Sequence, residues 1–203
     1  GEIGMNLSIY GLGNRHQRSW LAVDLGVSFG DEEHLPGIDL IMPDISFLEK
    51  ERKNLMGLVL THAHEDHFGA IIDLWPKLKC PIYATKFSAA LFEAKCAAER
   101  NPPKIPVTVI PSGGKVDIGP FNVEFIPVAH SIPESHALVI KTDVGTVLHT
   151  GDWKIDPTPI IVQPTDERRL RELGDEGVLA LDRDSTNAGR GRLPQSENVG
   201  AAT

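Results

Sequence analysis

Cysteine is scarce: Cys80 and Cys96 are the two in 203 residues. Two thiols at that separation make neither a disulfide framework nor a zinc-finger spacing, which leaves them as buried free thiols. Long hydrophobic runs are missing, and the first twenty residues lack the charged, apolar and small-residue order of a secretory signal. No membrane span or membrane partner is expected, and the default location is cytoplasmic. Positive charge is also short, with 20 Lys and Arg against 28 Asp and Glu and a net charge of -8. That argues against a uniformly basic nucleic-acid-binding surface. It does not exclude an enzyme acting on nucleic acid, because bound divalent cations add charge that the formal sum omits. Arg168, Arg169 and Arg171, like Arg190 and Arg192, read as solvated faces. Repeats and low-complexity tracts are absent, and 41% hydrophobic with 24% charged residues is ordinary for a globular chain able to bury a core.

Imidazole, by contrast, is concentrated in one place. Leu60-Thr61-His62-Ala63-His64-Glu65-Asp66-His67 puts three histidines and two carboxylates directly after the apolar run Gly57 to Leu60. Imidazole with carboxylate suits zinc, and an aspartate one residue before a histidine lets the cluster divide its ligands between two neighbouring ions. Open coordination positions make metal-assisted hydrolysis the leading chemistry. The apolar run reads as a strand, while Phe68, Ile71, Ile72, Trp75 and Leu78 recur at helical spacing. His62 and His64 then project from one side of an extended segment, and Asp66 and His67 turn back toward them at a helix start. A histidine-rich surface turn, or N-capping by Asp66 alone, accounts for one acidic residue and for none of the histidines.

Strand-like runs dominate the rest: 7–10, 21–25, 58–60, 82–84, 107–110, 123–127, 137–141, 146–149 and 178–181. Helices are predicted over 68–78, 88–100 and 166–173. Many strands with few helices argue for packed sheets with helices outside. Two of these strands deliver further candidate ligands, His130 after Val123 to Ala129 and Asp152 after Val147 to Gly151. Asp24, at the end of another strand, is either an ordinary strand-end residue or a carboxylate that accepts the second N–H of a ligand histidine. Ser131 and Ser135 flank a turn at Pro133 and either contact phosphate or serve the turn. Ser185, with Asp184 and Thr186, either contacts a substrate or caps a turn. His149 reads as a satisfied sheet residue, and His16, His34 and His136 as structural.

The order histidine-x-histidine-x-aspartate-histidine, then histidine, then aspartate resembles the metallo-β-lactamase superfamily. That resemblance implies an α/β fold, the αββα sandwich, here partial, with the site at one edge of two sheets. It implies two Zn2+, with Mn2+ or Mg2+ as alternatives. His62, His64 and His130 would hold one ion, Asp66 and His67 the other, and Asp152 would bridge them. The nucleophile would be a hydroxide between the metals, with Asp66 and Asp152 as catalytic residues and Asp66 orienting it.

Longer motifs are similar to one branch, the ribonuclease J family of β-CASP nucleases. They are Gly1 to Asn6, Gly37 to Asp44, Leu60 to His67, His130-Ser131-Ile132-Pro133-Glu134-Ser135, Thr150 to Asp156 and Asp184-Ser185-Thr186-Asn187-Ala188. The implied activity is cleavage of RNA phosphodiesters, endonucleolytic and 5′-to-3′ exonucleolytic, on 5′-monophosphorylated RNA, in a protein that is a homo-oligomer at full length. Small-ester or thioester hydrolysis on the same fold is the alternative. On this resemblance residues 1–193 are the N-terminal part of the metallo-β-lactamase domain and 194–203 the start of an inserted β-CASP domain. The 203 residues then lack the histidine that completes the second metal position and are expected to be poorly active alone. Leu181-Asp182-Arg183-Asp184 departs from the family pattern by placing charge where a buried strand end is expected.

Overall fold

In the computed structural model, which describes residues 4–30, 33, 35–185 and 196, the apolar runs become strands whose alternate residues face opposite layers. The chain runs through β1 (Ser8–Gly13), β2 (Arg18–Val23), β3 (Ser28–Phe29), β4 (Leu40–Ile41), α1 (Ser46–Lys50) and β5 (Leu55–Val59). It continues through α2 (Glu65–Phe68), α3 (Ile71–Leu78), β6 (Ile82–Ala84), α4 (Lys86–Ala98), β7 (Val107–Val109) and β8 (Lys115–Ile118). The described elements end with β9 (Phe121–Pro127), β10 (His136–Thr142), β11 (Gly145–His149), α5 (Glu167–Glu176) and β12 (Ala180–Asp182). One sheet has the order β1-β2-β5-β6-β7, a second β12-β11-β10-β9-β8, and β3 pairs with β4 at the side. The boundary expected at residue 194 lies outside the described residues.

Alternation along the strands separates three cores. Leu21 and Val23 of β2 and Val59 of β5 meet Val123, Phe125, Leu138 and Ile140 of the opposite sheet. Ala22 and Leu58, on the other faces of the same strands, pack instead with Leu48, Phe68, Ile71 and Phe92 from the helices. Ile126, Ala137 and Val139 face outward from the second sheet onto Leu170 and Leu173 of α5. This is the αββα sandwich. A two-residue period in strands buried on both faces requires apolar side chains on both, so these strands are near-continuous hydrophobic runs.

The topology also decides where strand ends lie. β2 and β5 are parallel, and β9 and β11 both run antiparallel to β10 and so share a direction. The four segments that leave these strands carry Asp24, His62, His130 and Asp152. A backbone bond from His136 N to Thr61 O, 3.1 Å, ties the two sheets together at this edge.

The single helix expected over 68–78 is two helices, for a reason remote in sequence. In a continuous helix the carbonyls of Asp66 and His67 would accept from Ala70 and Ile71. Here they accept from Asn6 N at 2.8 Å and Leu25 N at 2.7 Å, while Ala70 N donates to Leu25 O at 3.0 Å. Extended chain is thus wedged into the helix immediately after His67.

Arg168 and Arg171 are solvated, as their composition suggested, but Arg169 is not. Its guanidinium grips Glu124 on the outer face of β9 through two bonds, Nε–Oε1 at 2.9 Å and Nη2–Oε2 at 3.0 Å. The Arg169 bond holds the Glu124 carboxyl below the usual range, against the opposing effect of burial. Without Arg169 this buried carboxylate keeps only the exposed Lys115 ammonium, 3.4 Å away, a loss of roughly 3 kcal/mol. Arg169→Met is therefore expected to lower stability by about that amount at pH 7. A depressed carboxyl pKa contributes stability above its unfolded value and loses it as pH falls through the folded one. Urea denaturation of parent and variant should accordingly converge as pH falls through the folded Glu124 value; a gap that stays constant with pH contradicts the assignment.

Candidate metal centre

The site grows out of the exit from β5. The chain from Leu60 to Ala63 is buried, and His62 is fully enclosed. His64 takes an extended backbone conformation and caps α2, its carbonyl accepting from His67 N at 2.9 Å and Phe68 N at 3.0 Å. That one turn of helix brings Asp66 and His67 back toward the extended histidines. From the opposite sheet, His130 follows a single bridge between Ala129 and Lys154, and Asp152 follows Gly151, whose φ of 54° turns the chain inward.

Two groups result, sharing His62: His62 with His64 and His130, and His62 with His67 and Asp152. In the first, His64 Nδ1 lies 3.1 Å from both His62 Nε2 and His130 Nε2. In the second, the Asp152 carboxylate reaches both sides, with Oδ1 3.4 Å from His67 Nε2 and Oδ2 3.7 Å from His130 Nε2. Asp66 Oδ2 stands 3.6 Å from His67 Nε2. All six residues expected as ligands therefore converge on one small volume.

Burial pushes the pKa of His62 well down, lowers that of His64 and takes His130 to about 4, so these rings are neutral at pH 7. Neutral imidazoles turning ring nitrogens toward a common point leave too few protons to satisfy every lone pair, and a divalent cation satisfies them together. His67 differs. Burial pulls it down, but the Asp24 and Asp152 carboxylates outweigh burial and raise it to about 10. Burial raises the Asp66 carboxyl, whereas hydrogen bonding and charge from His67 overcome burial at Asp152 and lower it. The donor set, nitrogen-rich on one side and carboxylate-rich on the other, fits a pair of divalent ions.

Asp24 supports the ligands from behind. It is 2% exposed, sits at φ 60°, and accepts Thr61 N at 2.8 Å, Thr61 Oγ1 at 2.8 Å and His67 Nδ1 at 2.7 Å. The Thr61 hydroxyl, having donated to Asp24, accepts from His62 Nδ1 at 3.0 Å. One carboxylate thus fixes two imidazoles, His67 directly and His62 through a hydroxyl, with both Nε2 atoms left facing the site. Of the two readings open for Asp24, this geometry favours the orienting one.

Two participants were not singled out by residue pattern. Thr61 is hidden because alternation points it away from its neighbour His62, and only the turn lets the two meet. Asn6 lies 60 residues from Asp66, yet its side-chain nitrogen is 3.0 Å from Asp66 O and 3.3 Å from Asp66 Oδ2.

The serines divide. Ser131 is exposed beside His130, whereas Ser135 is buried and gives its hydroxyl to Ile132 O at 3.3 Å, the turn role. Ser185 is exposed, in a segment tied to the site by Asp184 N donating to Thr150 Oγ1 at 3.1 Å; Thr186 lies outside the described residues. The charge at Asp182 is accommodated because β12 is exposed throughout, and its carboxylate is bonded by Tyr10 at 2.8 Å and His149 Nδ1 at 3.1 Å. His149 is accordingly a satisfied sheet residue. His136 is buried between Ser112 Oγ, 2.8 Å, and Glu134 O, 2.7 Å, and His34 lies outside the described residues. No described helix is long and apolar enough to cross a membrane.

The sequence profile of the metallo-β-lactamase superfamily matches residues 15–173. The chain is 54% identical over 197 residues to a ribonuclease J from Sinorhizobium meliloti, covering 97% of this chain and 35% of that one. It is 45% identical to a ribonuclease J from Corynebacterium glutamicum, covering 92% and 25% respectively, and 38% identical to one from Helicobacter pylori, covering 98% and 28%. The chain thus spans about a third or less of the length of these relatives. Among solved structures, a protein of unknown function from Enterococcus faecalis superposes with a TM-score of 0.62 at 16% identity, over 97% of this chain and 51% of that one.

Proposed function

The chain belongs to the metallo-β-lactamase superfamily, and on that premise we propose that it is the metal-binding part of a ribonuclease that hydrolyses RNA phosphodiesters. The observation that carries the reading is the 54% identity to a ribonuclease J sustained over 97% of the chain. The convergent ligand groups supply the chemistry such an enzyme needs. Two Zn2+, or Mn2+ or Mg2+ in their place, fit these residues: His62, His64 and His130 for one, Asp66 and His67 for the other, Asp152 for both. When bound, such ions act as Lewis acids on a phosphoryl oxygen and lower the pKa of water.

The chain's own residues do the rest. Asp24 and Thr61 fix the ring nitrogens that face the site, so binding requires little rearrangement. Asp66 would accept a hydrogen bond from the attacking water and so orient it. Ser131, next to His130 in the chain, and Ser185, after β12, would contact phosphate oxygens of the substrate. Ser135, spent on its own turn, is the weaker candidate. On the same footing the substrate is 5′-monophosphorylated RNA, the location cytoplasmic, the whole protein a homo-oligomer, residues 1–193 part of the metallo-β-lactamase domain and 194–203 the start of an insertion.

Elemental analysis of the purified chain is expected to find about two divalent ions, and Asp152→Ala to lose at least one of them. The parent should cleave 5′-monophosphorylated RNA in a metal-dependent way, slowly beside a full-length ribonuclease J, and the variant should not. Turnover of a thioester or lactam with RNA left intact would overturn the reading in favour of a small-molecule hydrolase.

A further inference from the structure

The segment that enters β1 has no part in the mechanism above, yet it reaches the centre of the site. Asn6 is pinned on both sides by its backbone, N donating to Asp66 O at 2.8 Å and O accepting from Gly26 N at 3.0 Å. Its side-chain nitrogen then lies 3.0 Å from Asp66 O, 3.3 Å from Asp66 Oδ2 and 3.0 Å from His67 Nε2. Two acceptor oxygens of Asp66 identify this end of the amide as the NH2 group, since an amide oxygen there would face two others, and His67 Nε2 faces it as an acceptor once that nitrogen gives up its proton, as ligation requires. Asn6 also lies outside the stretch matched by the superfamily profile, 15–173.

We propose that Asn6 is a positioning residue for the second metal position, its amide holding the Asp66 carboxylate in the orientation that ion binding uses. The inference rests on the two-ion reading above. Asp66 needs such help. It sits on a helix of four residues, α2, whose hydrogen-bond ladder is broken immediately afterwards. Its carboxylate is 20% exposed and, unlike Asp24, is not enclosed by several donors. A carboxylate free to rotate loses orientational entropy on binding a cation, and a neutral N–H donor on one oxygen removes most of that cost while leaving the charge intact. The same contact ties the ligand pair Asp66–His67 to the chain entering β1, so the position is braced from the solvent side as Asp24 braces it from within.

The test is a Co2+ titration of the whole chain followed by its visible absorption, which reports each position separately. Asn6→Ala keeps both backbone bonds and removes the amide; Asn6→Gln restores an amide on a longer arm. In the parent two Co2+ are taken up. In Asn6→Ala the first should bind with unchanged affinity and spectrum and the second about tenfold more weakly, with Asn6→Gln recovering part of the loss. A second ion bound as tightly by Asn6→Ala as by the parent overturns the inference and leaves the two-ion reading intact. So does an equal weakening of both ions with a lower melting temperature, which makes Asn6 merely structural. A parent that takes up a single ion overturns the two-ion reading itself, and the inference with it.

Discussion

Gly26→Ala is expected to unfold the site: stability should fall by roughly 3 kcal/mol or more, and the second metal position should be lost. A Cβ at residue 26 would stand 1.7 Å from Asp66 O, 2.0 Å from Asp66 C and 2.6 Å from His67 N. These are backbone atoms and cannot swing aside as a side chain would. Restoring ordinary contact requires α2 to retreat by roughly 1.5 Å or more, which takes Asp66 and His67 with it. It also breaks the bonds from Asn6 N to Asp66 O and from Leu25 N to His67 O that hold α2 in place. Gly174→Ala, in α5 with nothing within 4 Å of the added methyl, is the matched control. That change should be neutral or stabilise by up to about 1 kcal/mol. Urea denaturation and metal content of the two variants decide the matter, and a Gly26→Ala chain with parental stability and both ions would refute the packing argument.

At Asp24 two substitutions are expected to separate charge from conformation. Asp24→Asn keeps a residue that tolerates the left-handed φ of 60°, but it replaces one acceptor oxygen by an NH2 group that must face a donor. An NH2 in place of Oδ1 leaves Thr61 N without its acceptor, and one in place of Oδ2 faces both Thr61 Oγ1 and His67 Nδ1; in either case the charge that favours the tautomer with Nε2 toward the site is gone. Metal affinity should fall about tenfold to a hundredfold, with a stability loss of about 1–3 kcal/mol. Asp24→Ala removes all three acceptor contacts and also places a residue with no local hydrogen bond of its own at positive φ. It should be the less stable of the two by a margin measurable in urea. Competition titration with a chromophoric zinc chelator checks the affinities. Unchanged affinity in Asp24→Asn would mean that the ligand rings are held by packing alone.

These expectations depend on contacts that sequence reading reached unevenly. His62, His64, Asp66 and His67 are legible because four candidate ligand side chains within six residues have no economical structural explanation. His130 and Asp152 are legible because each follows an apolar strand. The strands of both sheets follow from their apolar runs, apart from β8, where Lys115, Val116, Asp117 and Ile118 alternate too briefly among glycines to stand out. The break between α2 and α3 is not legible from residues 65–78, because the competing donors are Asn6 N and Leu25 N. Arg169 was concealed for a related reason. Its two arginine neighbours are solvated, and nothing local reveals that one guanidinium of the three meets a carboxylate 45 residues away. What stays hidden in each case is a partner contributed by a distant segment.

The same distances bear on the order of assembly. His62 to His67 leave the first sheet, whereas His130 and Asp152 leave the second, and neither set closes both ligand groups by itself. A folding nucleus built from the first sheet and its helices therefore has no complete binding site, and the ligands meet only when the sandwich has shut. Cations held by these groups would consequently have little purchase on the rate at which the chain folds and would act on the rate at which it opens, so that a loaded centre would be a kinetic lock on the native state.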